Sequence, residues 1–266
     1  MVKMFPVGLG LKNILISGII ISLLFGLLIF SLHFKKTKWP VKITGVLALF
    51  FFGFATYQSG FNIHQKKPNS IVYIQNNTNQ QAYFGTYNKT LDNFTKPVFN
   101  DEKVKGSIQN AETKSKYNTR FTYHITTENR NIEFSKIKYL LDTIIREYRY
   151  IEVVFKPQNK VNKFEFITQN QIELEQFKVN DALVAKGEKY TKKAGTFLIY
   201  HMANTDKEIT LSFKTKNKEK IPVVINQISY DLLQHPQFDI KQRTNEMMPM
   251  PFVTNDAIIV TKEIDL

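Results

Sequence analysis

The sequence predicts a membrane-anchored protein, in which a two-helix transmembrane hairpin is followed by a mostly-β, antiparallel, sandwich-like water-soluble domain. Three observations predict it. Two long apolar runs lie within the first 61 residues, and a cluster of lysines separates them. Beyond residue 61 the pattern changes to short alternating runs rich in Ile, Val, Phe, Tyr and Thr, punctuated by polar turns. Such runs suit the pleated, half-buried surface of a sheet.

Residues 1–12 form an N-terminal segment with Lys3 and Lys12. Residues 13–34 carry no formal charge over 22 positions and are mostly Ile, Leu and Phe. At a helical rise of about 1.5 Å per residue such a run crosses the ~30 Å hydrocarbon layer. It is too long for the apolar core of a signal peptide, and no small-x-small site follows it. Residues 35–42 hold Lys35, Lys36, Lys38 and Lys42, with Trp39 suited to an interface. Short lysine-rich loops stay on the cytoplasmic side, so the expected loop is cytoplasmic and the C-terminal domain extracytoplasmic, periplasmic or lumenal. Residues 43–61 supply the second expected span. Gly18, Ser22 and Gly26 recur every four residues, as do small residues at helix contacts in lipid, and suit packing against Gly45, Ala48 and Gly53 or against further helices absent from this chain.

Residues 62–118 are expected to form a β-hairpin unit and linker, and residues 119–266 a sandwich-like domain. Strands are expected at 70–75 and 81–87, with Asn-Asn-Thr-Asn between them as a hairpin turn. Further runs lie at 120–126, 132–141, 148–156, 163–168, 172–179, 196–201, 208–214, 223–230 and 258–261. The stretch 137–150 reads equally as a strand or a short helix. The prolines in Met247-Met-Pro-Met-Pro251 rule out a central strand and leave a loop or edge crossing.

The net charge is +13, but the first 60 residues contribute six lysines and no acid, leaving 30 basic against 23 acidic side chains beyond them. That excess is scattered rather than gathered on one element with aromatics, so nucleic acid is not an expected partner. The absence of cysteine excludes disulfides, cysteine-ligated zinc and thiol catalysis.

The search for chemistry yields no catalytic, cofactor-binding or metal-ligating residue. His64, His124, His201 and His235 lack metal-ligand spacing, and a site joining His201 to Asp206 would need distant partners. Gly8-Leu-Gly10 follows no strand, so it is not a phosphate loop. Glu173 and Glu175 share a strand face near Lys178, which reads as a solvated face rather than an acid/base pair. Met247, Met248 and Met250 read as packing groups rather than soft copper ligands. Asn76, Asn88 and Asn93 head glycosylation sequons that an Asn-rich chain produces readily.

One stretch carries a resemblance. Lys67-Pro-Asn-Ser-Ile-Val-Tyr73, Ala82-Tyr-Phe-Gly-Thr-Tyr87 and Leu91-Asp-Asn-Phe-Thr-Lys96 follow the second apolar run. Together they resemble the C-terminal region of integral-membrane peptidases of the M28 family, with Phe84 and Phe94 standing where the family pattern has tryptophan. The resemblance implies a two-zinc aminopeptidase domain upstream, further membrane spans and a β-rich tail. The family's zinc ligands belong to that catalytic domain, and no residue here matches them, so zinc is expected only in a domain absent from this chain. The implied role is a non-catalytic C-terminal portion of such an enzyme. Its partners would be the lipid bilayer, a peptidase domain or further transmembrane helices. The alternative is a free-standing, membrane-anchored envelope protein that binds a protein or glycan through its β domain.

Overall fold

A computed structural model describes residues 18–24, 26, 39–57, 60–108, 119–184 and 189–266. After a helix at Trp39–Tyr57 the regular elements among the described residues are all strands. The strands are β1 (Lys67–Asn69), β2 (Val72–Asn76), β3 (Gln81–Thr86), β4 (Val104–Lys105), β5 (Tyr123–Thr127) and β6 (Lys136–Ile145). They continue with β7 (Tyr148–Lys156), β8 (Lys163–Thr168), β9 (Ile172–Val179), β10 (Ala182–Leu183) and β11 (Lys189–Lys192). The last are β12 (Gly195–His201), β13 (Ile209–Thr215), β14 (Pro222–Ser229), β15 (Met247–Pro249) and β16 (Ala257–Asp265).

The structure corrects the expected transmembrane hairpin. Among the described residues no helix is long and apolar enough to cross a membrane. The first expected span lies largely outside the described residues, of which 18–24 are helical. In the second, the described helix is Trp39–Tyr57, and residues 60 and 61 are not helical. The integral-membrane location and the extracytoplasmic placement of the C-terminal part rested on that hairpin and lose their basis with it. The expected close packing of small residues is also not found. A side chain added at Gly18, Gly26, Gly45 or Gly53 would meet nothing within 4 Å among the described residues.

The chain divides into two compact units. One comprises residues 1–68 and 244–252 and holds the helix Trp39–Tyr57 and the short ribbon of β1 with β15. The Met-Met-Pro run is thus an edge strand, as its proline allows.

The other unit, residues 69–243 with 253–266, is a two-sheet β structure. Its larger sheet has eight strands in the order β12-β8-β14-β16-β2-β3-β5-β4. The second runs β10-β9-β13-β7-β6, with β11 also paired to β9. Neighbours pair antiparallel except β16 and β2, which run parallel from Ala257 opposite Val72 to Thr261 opposite Asn76. β2 and β3 belong to the same sheet as β14 and β16. The ambiguous stretch 137–150 is a hairpin of β6 and β7.

Alternation explains which faces meet. In β13, Ile209, Leu211 and Phe213 are buried and Thr210, Ser212 and Lys214 point away. Phe155 of β7 lies 5.4 Å from Phe166 and 6.2 Å from Phe164, both on β8, so the two sheets touch through aromatic rings. All three are fully buried. Burying each contributes about 1.5–3 kcal/mol by transfer from water. A second aromatic cluster joins Tyr73, Phe84 and Phe238, with Tyr73 and Phe238 centred 4.7 Å apart.

The crossing from β5 to β6 has no strand of its own, so buried side chains satisfy its backbone. The Tyr73 hydroxyl accepts from the Arg130 N–H (2.9 Å) and donates to the Glu128 carbonyl (3.2 Å). The Gln75 amide bonds both backbone groups of Ile132, at 2.9 and 3.1 Å. Gln227 Oε1 accepts from the backbone N–H and hydroxyl of Ser135.

Gly85 of β3 lies beneath the ring of Phe121, which stacks on Tyr87 at 4.5 Å. A Cβ on residue 85 would lie 2.9 Å from two ring carbons of Phe121. Gly85→Ala should therefore cost about 1–3 kcal/mol as overpacking. A urea titration checks this, and combining it with Phe121→Leu should return part of the loss.

Candidate functional site

Residues 69–95 converge on one buried polar junction. Ser70 lies between two strands, and its environment is built from the sequence that follows. Its backbone N–H donates to Asn88 Oδ1 at 2.9 Å, and its hydroxyl accepts from the Tyr87 N–H at 2.9 Å. The Thr86 hydroxyl donates to the Ser70 carbonyl at 2.7 Å and accepts from the Asn88 N–H at 3.1 Å. Ser70 and Thr86 have no solvent exposure and Asn88 has 3%. A buried polar group without a partner is costly, so these short side chains are there to close one another's hydrogen bonds.

Asp92 organises the next turn. Its Oδ1 accepts from the N–H groups of Phe94 (3.1 Å) and Thr95 (3.0 Å), while its own N–H donates to the Thr95 hydroxyl (2.8 Å). This reciprocal arrangement is the local geometry that Asp-x-x-Thr favours at the start of a helical turn. The remaining carboxylate oxygen, Oδ2, accepts from Asn69 Nδ2 at 3.3 Å.

Asn69 carries the network to Arg243, remote in sequence. Arg243 donates from Nε to Asn69 Oδ1, and from Nη2 to the Asn69 carbonyl at 3.2 Å. Its two terminal nitrogens grip the carboxylate of Asp256. Its guanidinium lies 4.4 Å over the ring of Phe94, so the aromatic at that position serves as a cation–π platform. The Arg243 side chain is 9% exposed and that of Asp256 19%. Asp256 takes a left-handed backbone conformation (φ 51°) directly before β16 and bonds the Ile71 carbonyl through its N–H. The sequence offered no signal for Arg243 or Asp256, because neither sits in a recognisable spacing.

The hydroxyls of the junction are held by fixed partners: those of Ser70 and Thr86 by backbone groups, by each other and by Asn88, and that of Thr95 by the Asp92 carboxylate at 3.0 Å. Nearby, burial pushes the Tyr87 phenol far above its ordinary range, with the negative charge of Glu165 adding to the shift.

The histidines do not come together. His64 sits in an exposed turn closed by Asn62, and His201 ends β12 at the surface. His124 bonds the Gly106 carbonyl at 2.9 Å, and His235 packs edge-on to Phe238. Among the described residues no group of three or more His, Cys, Asp or Glu is arranged to hold a metal. Asp206 lies in a turn bonded to Asn204. Met247 and Met248 are half-buried on β15. Asn88 is buried, so its sequon is a structural accident.

Glu173 and Glu175 do share the outer face of β9, but Lys178 is not their partner. Strand pairing sets Lys189 and Lys214 opposite Glu175. Lys189 Nζ lies 2.8 Å from Glu173, and Lys214 lies 3.4 Å from Glu175 and 4.6 Å over the Tyr148 ring. The hydrogen bond from Lys189 holds the Glu173 carboxyl below its usual range, which keeps it charged and useless as a proton donor near neutrality. The loops around residues 170–173 and 215–222 leave an open groove of about 570 Å³ beside this ladder, lined by Glu173, Glu175, Lys216 and Lys220.

Two outcomes test the junction. Arg243→Met leaves Asp256 without its cation and should cost about 3–5 kcal/mol in a urea titration, with Asp256→Leu added to it restoring part. A loss under about 1 kcal/mol would show the pair to be incidental. For Tyr87, a folded-state pKa raised above the unfolded value of about 10 gives stability that is intact below that pH and lost as pH rises past it. Tyr87→Phe should therefore flatten the fall in urea midpoint as pH rises above about 10.

No family model matches the sequence, and no curated protein matches it.

Proposed function

We propose that this chain is a non-catalytic β-domain module that accompanies an M28-type metallopeptidase, the peptide hydrolysis residing in a catalytic domain outside it. One observation carries the reading. The residues that bear the resemblance, Asn69, Ser70, Thr86, Asp92, Phe94 and Thr95, build a saturated junction with Arg243 and Asp256 rather than a reactive site. A sequence signature made of junction residues marks a structural module, and its partner supplies the chemistry. The carboxylates of β9 support the same reading, since lysines from neighbouring strands occupy them. Such a module acts by binding: it holds or shields a neighbouring domain, and its stability matters more than any single side chain.

The full chain, supplied with zinc and aminoacyl p-nitroanilide substrates, should give no turnover above buffer and no stoichiometric zinc by elemental analysis. Hydrolysis proportional to protein concentration would overturn the non-catalytic reading. The association is checked in the DNA upstream: an open frame with zinc-ligand His, Asp and Glu motifs supports it, and an unrelated gene removes it.

A further inference from the structure

Oδ1 of Asp231 is buried, and among the described residues it has no hydrogen-bond partner. A carboxylate oxygen in that position gives up the hydration it has in the unfolded chain, which is costly unless something replaces it. Native proteins meet such a need with an ordered water or an ion. Asp231 lines a small cavity of about 10 Å³. One water molecule takes roughly 10–15 Å³ of such space. We propose that this cavity is the seat of one internal water molecule, which donates to Asp231 Oδ1 and ties three irregular segments to the larger sheet.

The floor of the cavity belongs to β14. Gln227 and Ser229 stand two residues apart on that strand and so share one face. It is the interior face, because Gln227 lies opposite Phe164 of β8, and directly opposed residues point the same way. Three irregular segments close the space above it. Ile132 comes from the crossing between β5 and β6, Lys160 from the turn between β7 and β8, and Asp231 and His235 from the turn after β14. An internal water needs two to four polar partners. Gln227 Oε1 is committed to Ser135, but its amide nitrogen carries two protons, of which one goes to the Glu133 carbonyl at 3.4 Å. The other proton, the Ser229 hydroxyl and the His235 ring join the Asp231 carboxylate to make up the set.

The lining favours water over other occupants. Cavities that stay dry are apolar, and this one carries a carboxylate, a hydroxyl and an amide. A metal ion fits less well. Among the described residues no group of three or more His, Cys, Asp or Glu is arranged to hold one, and the Lys160 side chain lines the same cavity with a charge that repels a cation. Water answers both sides at once, donating to the carboxylate and accepting from the amide or the hydroxyl. Its bonds extend to the turn after β14 the scheme by which Gln75 and Gln227 hold the crossing before β6.

Two measurements on the full chain test this, in a mild detergent that covers the exposed helix Trp39–Tyr57. A crystal structure that resolves ordered solvent should show a single water about 2.5–3.0 Å from Asp231 Oδ1. Magnetic relaxation dispersion of the solvent counts the waters held for longer than the protein tumbles. Asp231→Leu keeps the shape of the side chain and removes the acceptor, so it should lose the signal of one water. Asp231→Asn keeps an oxygen acceptor and should retain that signal. An unchanged circular dichroism spectrum shows that each variant is folded, and if Asp231→Leu fails to fold, the crystal structure decides alone. No water at that position, a Lys160 ammonium bonded to Oδ1 in its place, or a folded Asp231→Leu with the wild-type count overturns the proposal.

Discussion

The structure depends on the parallel pairing of β2 with β16. Five residues near the start of the described β domain, Val72 to Asn76, take their register from Ala257 to Thr261 near its end. The segment 77–256, holding nearly every other strand, must be in place between them. Parallel neighbours need a long connection, and here the connection is the domain itself. The Arg243 junction sits at the base of this pairing: Asp256 precedes β16 directly, Asn69 lies just before β2, and one guanidinium holds both. Losing that clamp therefore loosens the central strands of the larger sheet rather than a peripheral turn. The non-local pairing also raises the mean sequence separation of contacts, which slows folding.

Buried polar side chains do most of the work of joining irregular segments to the sheets. Tyr73, Gln75 and Gln227 carry the crossing from one sheet to the other, and Ser70, Thr86, Asn88 and Asp92 carry the turn after β3. Each satisfies a backbone group that water cannot reach. Within a dense core such groups are costly to leave unpaired, so the network specifies one arrangement of loops as well as stabilising it.

The outer faces follow a different logic. Across β9, β11 and β13 the charges of Glu173, Glu175, Lys189 and Lys214 interleave, so a strongly basic chain presents a locally balanced surface. The exposed Lys189–Glu173 pair adds little stability, whereas Lys214 neutralises the largely buried Glu175 carboxylate. Strand β6 lacks such a ladder, and its bare aliphatic residues set it apart from the other outer faces.

Sequence alternation by itself determined most of the strands. β8 and β9 coincide with the expected runs, and β13 follows its Ile-Leu-Phe pattern, because burying one face of a pleated strand imposes a period of two. It also determined that no cysteine, metal-spaced histidine or nucleophile motif is present. The hairpin at 76–79 was legible because Asn76 folds its own side chain onto the N–H groups of Thr78 and Asn79. Only the tertiary structure decided the rest. Apolar composition suggested a membrane hairpin, but among the described residues no helix is long and apolar enough to cross a membrane, and composition does not say where a helix begins and ends. Arg243 and Asp256 were invisible because their meaning lies in what folding brings to them from far along the chain. The lysines that meet Glu175, Lys189 and Lys214, were likewise not legible, since cross-strand register, not nearness in sequence, selects which charges meet.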